Sequence, residues 1–428
     1  MTDINTLHSL FLKYPIISTD TRKIEPNSIF FALKGENFDA HTFTKEALNK
    51  GAKYVVIDNE EYYINENTLL VKNTLVALQE LAKFHRKFLG LPIIALTGSN
   101  GKTTTKELIH VVLSKKYNTL ATIGNLNNHI GVPLTLLRFN KQTEIGIVEM
   151  GANHQKEIEF LCEIAQPDYG YITNFGKAHL EGFGGVEGVI KGKSEMYDYL
   201  KNNNKLIFVN LDDAIQNEKT ATVKRFSFTV NTSQADLKIT AVEVNPMVKI
   251  TYNNLLINSH LIGIYNANNI NAAITIGNYF KVSDEQIKEA IENYIPENNR
   301  SQLIQKGGNE IILDAYNANP SSMTAAITNF IQLEKENKIA ILGDMFELGE
   351  ESLLEHKKII ALLENEASIT TYFIGKDFFK NQIHNTHMSF FEDFGSFSVF
   401  FKANLPNNNL LLIKGSRGMT LEKTLELI

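Results

Sequence analysis

An apolar run, Pro92-Ile93-Ile94-Ala95-Leu96, passes directly into Thr97-Gly98-Ser99-Asn100-Gly101-Lys102-Thr103-Thr104-Thr105. This junction constrains the fold more than any other segment. It reads as a strand, a glycine turn and a helix start, so the chain must contain a βα unit whose helix N-terminus faces the turn. Such a turn aims backbone N–H groups at an anion. Lys102 is placed to reach outer phosphates, and the Thr103 hydroxyl to hold Mg²⁺. Gly98, Ser99, Asn100, Gly101, Lys102, Thr103 and Thr104 are the expected ATP cradle. The spacing is unusual, because the common phosphate loop puts four residues between its glycines. Here two residues separate Gly98 from Gly101, and Leu96 stands where the earlier glycine belongs. The alternative is a plain glycine turn, and the Gly-Lys-Thr-Thr run in its strand context argues against it.

At 428 residues the chain exceeds what one core can organise; about two to four domains are expected. Apolar residues make up 43% and charged residues 21%, the balance of an ordinary globular protein. A formal net charge of −6 without a basic stretch argues against nucleic acid as a partner and leaves phosphate-bearing small molecules open. The single cysteine, Cys162, excludes an intramolecular disulfide, and its helix-like surroundings predict a buried structural thiol. Lys13 and Pro15 interrupt the N-terminal apolar residues, so no signal peptide is read. No apolar run approaches the ~18–20 residues of a membrane span. A cytoplasmic location is expected.

Three regions separate by pattern, at 1–88, 89–297 and 298–428. The first holds short strands at 28–33 and 54–57. It closes with a helix whose apolar face is Leu75, Leu78, Leu81, Ala82 and Phe88, stopped by Gly90 and Pro92. The second alternates helices with strands at 93–97, 145–149, 170–173 and 205–209, which predicts a mainly parallel sheet with ligands at the carboxyl ends of its strands. Residues 222–262 read as an antiparallel extension. The third follows the polar linker Pro296 to Arg300 and has strands at 310–314, 338–342, 370–374 and 410–413. One of its helices starts at a capping box, Ser352 with Glu355. The expected fold is therefore α/β in three domains: a small N-terminal α/β domain, a central P-loop parallel-sheet ATPase domain with an antiparallel extension, and a C-terminal Rossmann-like domain.

Several polar residues fall at strand ends. Glu149 suits Mg²⁺, or is a solvated strand end. His179 and Glu181, before glycines at 182, 184 and 185, suit a second cation or an acceptor substrate, though a lone histidine is more often structural. Lys193, between Lys191 and Glu195, reads by itself as part of a solvated face. Asn266 and Asn269 can address an adenine edge or cap the helix that starts there, and pattern alone favours the cap. Asp314 ends a strand and suits a ribose hydroxyl, with Asn319 and Pro320 opening the next helix as N-cap and first residue. Lys414 and Arg417 are two cations able to hold a carboxylate or phosphate, unless they lie in a surface loop.

Together these segments resemble the Mur ligases, ATP-dependent amide-forming enzymes of cell-wall peptide assembly, from about Ser18 to Glu422. The stretch Asp314-Ala315-Tyr316-Asn317-Ala318-Asn319-Pro320-Ser321-Ser322-Met323 looks most like the branch that joins D-alanyl-D-alanine to UDP-N-acetylmuramoyl-tripeptide. So do Leu342-Gly343-Asp344-Met345 with Glu347-Leu348-Gly349, and Asp20-Thr21-Arg22 with Phe30-Phe31-Ala32-Leu33-Lys34-Gly35. The short phosphate loop is the family's form. The resemblance implies two Mg²⁺ sites served by Thr103, Glu149, His179 and a carbamylated Lys193, with Lys102, Lys193 and His179 catalytic. It implies that Asn266, Asn269, Arg300 and Asp314 contact ATP, with Tyr265 where the family usually has histidine. Ser18, Asp20, Thr21, Arg22, Asn125, Asn128 and His129 are implied for the UDP-linked substrate, and Lys414, Ser416 and Arg417 for the incoming amine. The implied activity is formation of an acyl phosphate followed by attack of the dipeptide amine, in a monomer. One rival is another Mur ligase or a folylpolyglutamate synthase; the Asp-Asn-Pro-Arg box of the branch that adds diaminopimelate is absent. The other is a P-loop protein that binds ATP without ligating, which leaves His179, Lys193 and the third domain without a task.

Overall fold

The computed structural model describes residues 1–232, 234–244, 246–297 and 299–428. Three mainly parallel sheets carry the chain. The first pairs Ile17–Ser18, Ile29–Phe31, Tyr54–Ile57 and Thr68–Leu70 in that order, all parallel. Helix Thr74–Leu89 leaves it, capped by the Asn73 side chain and ended by Gly90 at φ 65°. Leu78, Leu81 and Ala82 are buried as expected, whereas Phe88 is 47% exposed. The buried stripe drifts to His85 and Arg86 in the last turn, because Arg86 reaches Ala165 O at 3.1 Å and Asp168 Oδ2 at 2.8 Å.

The central sheet runs Leu237–Lys238, Arg225–Thr229, Leu206–Asn210, Tyr169–Ile172, Ile93–Thr97, Ile145–Glu149, Thr119–Ala121, entirely parallel. Ile93–Thr97 is buried at every position, as befits a strand covered on both faces. Tyr169–Ile172 and Ile145–Glu149 flank it, so the phosphate loop, Asn174 and Glu149 emerge together at the carboxyl edge. The stretch 222–262 differs in part from expectation. Arg225–Thr229 and Leu237–Lys238 extend the parallel sheet, and only Ala241–Val244, Met247–Tyr252 and Leu255–Ile262 form an antiparallel piece. Short alternating strands look alike in either setting.

The third sheet orders Gln302–Lys306, Asn309–Asp314, Leu410–Lys414, Lys338–Gly343, Ile369–Ile374 and Met388–Phe391. All its pairs are parallel except the first. Two edge strands, Gln302–Lys306 and Met388–Phe391, thus join the four expected. The capping box at Ser352 does not form. A 3₁₀ turn, Gly349–Glu351, already leads into helix Ser352–Leu363; Ser352 Oγ turns to Asp377 Oδ2 at 2.7 Å, and Glu355 to Lys177 and Lys358. Asn319 does cap Pro320–Gln332. Cys162 is buried, which pushes its thiol pKa up. Among the described residues, no helix is long and apolar enough to cross a membrane.

Candidate active site

At the carboxyl edge of the central sheet the loop from Ser99 to Lys102 rims a cavity of about 760 Å³. Gly98 has φ 143° and Gly101 φ 78°, and a Cβ on either would overlap Thr173 or Asn269. The shortened loop needs both glycines for this close packing. Asn100 N–H donates to Asn174 Oδ1 and Ser99 N–H to Asn174 O, each at 3.1 Å, while Thr173 Oγ1 donates to Asn100 O at 2.5 Å. Two loop N–H groups are thus spent on the protein. The first turn of helix Lys102–Leu113 supplies further N–H donors to face an anion. Lys102 Nζ folds back on Gly98 O at 2.8 Å. Burial lowers the Lys102 pKa, Glu149 offsets this in part, and Arg300 adds to the fall.

Glu149 is buried, not a solvated strand end. Asn127 Nδ2 donates to its Oε1 at 2.8 Å, while Oε2 is buried without a hydrogen-bond partner among the described residues. Lys106 Nζ stands 3.9 Å from that oxygen. Thr103 lines the same cavity. An orphaned carboxylate oxygen and a hydroxyl are oxygen donors of the kind a hard cation takes, so Mg²⁺ fits at Thr103 and Glu149.

Lys193, on helix Val186–Asn202, is wholly buried rather than part of a solvated face. Its Nζ donates to Ala152 O at 3.0 Å and lies 4.8 Å from the centre of the Phe183 ring. Burial, then Lys102, hold its pKa well below the usual ammonium range, against the pull of Glu157 and Glu195. An ammonium there would repel a cation, but a neutral amine is a nucleophile. Lys193 lies behind the cavity wall, whereas His179 lines it and bonds through Nδ1 to Glu347 on a loop after the third sheet's strand Lys338–Gly343. Burial lowers the His179 pKa and Glu347 opposes the fall.

Asn266 does not cap helix Ala267–Tyr279 through its side chain. A 3₁₀ turn, Ile264–Asn266, supplies the helix entry, and Asn266 Nδ2 donates back to Ile262 O at 2.7 Å. Asn269 Nδ2 donates to Asn266 Oδ1 at 2.8 Å and both residues line the cavity. Tyr265 lines it too, its hydroxyl 3.0 Å from Ser301 Oγ. Arg300 stacks with Cζ 3.7 Å from the centre of the Tyr316 ring, its Nε buried and unpartnered among the described residues. Asp314 accepts from Lys414 Nζ at 2.6 Å and from Ser301 N–H at 3.2 Å. Lys414 is therefore buried against the acid, not in a surface loop. Arg417 is largely exposed, pairs with Glu422 at 3.2 Å and lies with Cζ 5.6 Å from the centre of the same Tyr316 ring that Arg300 stacks on. Asn125, Asn128 and His129 line the cavity, whereas Ser18, Asp20, Thr21, Arg22, Ser416 and Arg417 lie outside its wall. Asp20 caps the turn Thr21–Lys23, and its hydrogen bonds to Arg22 hold its carboxyl pKa down at about 2.

Sequence profiles described as the Mur ligase family, catalytic domain, the Mur ligase middle domain and the Mur ligase, glutamate ligase domain match residues 13–86, 96–277 and 299–417. The chain belongs to the Mur ligase family. The UDP-N-acetylmuramoyl-tripeptide–D-alanyl-D-alanine ligase of Bacillus subtilis (strain 168) is 37% identical over 420 residues, 95% of this chain and 91% of that one. Its counterpart of the same name in Escherichia coli (strain K12) is 36% identical over 356 residues, 80% of this chain and 77% of that one. MurF from Acinetobacter baumannii superposes with a TM-score of 0.84 at 32% identity, covering 96% of this chain and 92% of that one. The MurF ligase of Thermotoga maritima, solved in complex with ADP, gives 0.83 at 25% identity and covers 100% and 98%. The three-domain α/β architecture expected from the sequence is that of this Mur ligase.

Some residues that build the Mur ligase site carry no signal of their own. Asn127 holds Glu149, Asn174 holds the phosphate loop, and Asn319, besides capping its helix, donates to Asn100 Oδ1 at 2.7 Å. The strand-end position of Asn174 was legible, but not its pairing. Tyr316 and Glu347 lie in segments that carry the family resemblance, but their positions in the sequence give no sign of these contacts.

Proposed function

We propose that this Mur ligase joins D-alanyl-D-alanine to UDP-N-acetylmuramoyl-tripeptide in two ATP-driven steps. The peptide carboxylate attacks the γ-phosphorus as the bond to the β–γ bridging oxygen breaks, giving ADP and an acyl phosphate. The dipeptide amine then attacks the acyl carbon, a proton is lost and phosphate leaves. One observation carries the reading: a single cavity brings Lys102, Asn269 and Arg300 together with the Asn125 to His129 segment, so a peptide acid and a nucleotide can meet in it. Relatives named for this reaction cover most of the chain.

In this reading Gly98 to Thr104 and the helix start cradle the phosphates, and Lys102 leaves its loop carbonyls to spread charge on the transferring group. Thr103 and Glu149 hold Mg²⁺, which supplies charge neutralisation at that group. Lys193, as the neutral amine, forms an N–C bond with CO₂ and releases a proton. The resulting carbamate, with His179, suits a second Mg²⁺ where an ammonium does not. Asn266, Asn269, Arg300 and Asp314 address the adenosine, with Lys414 fixing Asp314. Ser416 and Arg417 are assigned to the incoming dipeptide. Ser18, Asp20, Thr21 and Arg22, with Asn125, Asn128 and His129, are assigned to the UDP-linked substrate. Domain limits at 1–88, 89–297 and 298–428, a monomeric state and a cytoplasmic location belong to the same proposal. Phosphate release by the purified protein tests it. Release should require both the UDP-tripeptide and D-alanyl-D-alanine; release without them, or none with both, overturns the reading.

A further inference from the structure

Glu347 has no part in the roles assigned above, yet it reaches the cavity wall from the C-terminal domain. Its carboxylate meets His179 Nδ1, and its carbonyl accepts from Glu181 N–H at 3.4 Å. Both residues are left-handed, Glu347 at φ 62° and His179 at φ 53°. Non-glycine residues hold that conformation where their surroundings impose it. The loop carrying Glu347 is tied at three successive residues. Asp344 accepts N–H bonds from Asp377 and Phe378 at 3.0 Å, Met345 N–H donates to His356 Nε2 at 3.0 Å, and Phe346 N–H to Ser416 Oγ at 2.9 Å. A built turn of one domain thus presents a carboxylate to an imidazole of another.

We propose that Glu347 is a positioning residue: when the C-terminal domain docks, it fixes His179 as the Nδ1–H tautomer and leaves Nε2 as the lone pair available to the cavity. A carboxylate only accepts hydrogen bonds, so a neutral imidazole must donate to it from Nδ1. His179 lines the cavity, and Nε2 has no protein partner among the described residues. A carboxylate behind an imidazole fixes the ring's orientation and raises the basicity of the opposite nitrogen. Chemistry at His179 then waits on domain contact, because Glu347 is the ring's hydrogen-bond partner among the described residues. The inference rests on the role given to His179 above.

The test is ring-nitrogen NMR of histidine-labelled protein, with His179→Gln to assign the signal. The wild type should show the Nδ1–H tautomer. Glu347→Ala should shift it toward Nε2–H and lower turnover about 10–100-fold, with the KM for ATP little changed. Glu347→Gln keeps the shape, and so the fold, but can donate as well as accept; it should give a tautomer mixture and intermediate turnover. An Nε2–H tautomer in the wild type, or an unchanged Nδ1–H tautomer in both variants, overturns the proposal. If His179→Gln keeps full turnover, the reading of the site fails as well. If His179→Gln is inactive while Glu347→Ala matches wild type in tautomer and rate, only the present inference fails.

Discussion

Taking an ammonium out of water is costly unless a charge meets it, and among the described residues Lys193 Nζ meets the Ala152 carbonyl and the face of Phe183. The residue is stable there as a neutral amine or as something other than an amine. This is why pattern alone misread it. Charges on either side in the sequence suggest a wet helix face, but burial is decided by the segment around Ala152 that packs over that turn. Glu149 is the same kind of case: its strand-end position was legible, its orphaned Oε2 was not. The carbamate proposal has a direct consequence. Lys193→Ala should lower turnover about 100-fold or more, and a short carboxylate such as acetate in the buffer should restore part of it. Full activity of the alanine variant would remove the carbamate from the mechanism.

Among the elements, strands were legible where both faces are covered. Ile93–Thr97, Ile145–Glu149 and Leu410–Lys414 are buried throughout and read as continuous apolar runs. The edge strand Gln302–Lys306 is largely exposed, so nothing but pairing marks it. Helix starts failed for a related reason: Ser352 follows a 3₁₀ turn and Asn266 closes one, so their side chains do not cap the helices and bond elsewhere. Helices Ile4–Lys13 and Thr74–Leu89 hold a contact that no pattern announces. His8 Nε2 meets His85 Nδ1 at 3.1 Å, and His85 Nε2 donates to Phe139 O at 2.9 Å. Burial lowers the pKa of both rings. Their folded values lie below the unfolded value of about 6.5, so the native state binds fewer protons. The pair's contribution is complete above that pH and is lost as pH falls through the folded values. Melting temperature should therefore drop between about pH 6.5 and lower pH, and His8→Phe, which keeps the aromatic contacts with Phe84 and Phe88, should drop less steeply. Equal slopes in the two proteins would locate the acid sensitivity elsewhere.

At the scale of the whole molecule, two loops of the central sheet reach the C-terminal domain. Asn100 meets Asn319, Lys177 N–H donates to Ser321 Oγ at 2.8 Å, and Lys177 Nζ pairs with Glu355 at 2.8 Å. Those loops are the glycine loop assigned to the phosphates in the proposed function and the loop that carries His179, so whatever loosens the contact loosens the proposed site. Glu355 is buried and also holds Lys358 at 2.7 Å, and both lysines lower its pKa against the rise from burial. It therefore stays charged and remains a fixed target for Lys177. Lys177 is part exposed, which limits the pair to about 1 kcal/mol, a factor of about five in the docked population. Lys177→Met should accordingly lower turnover by up to about five-fold at low ionic strength and enlarge the radius of gyration seen by X-ray scattering with substrates bound. Because salt screens exposed charges over about 8 Å at physiological strength, raising salt should narrow the gap between variant and wild type. A variant whose turnover falls with no change in radius would mean that Lys177 acts on the loop locally and that docking does not depend on this pair.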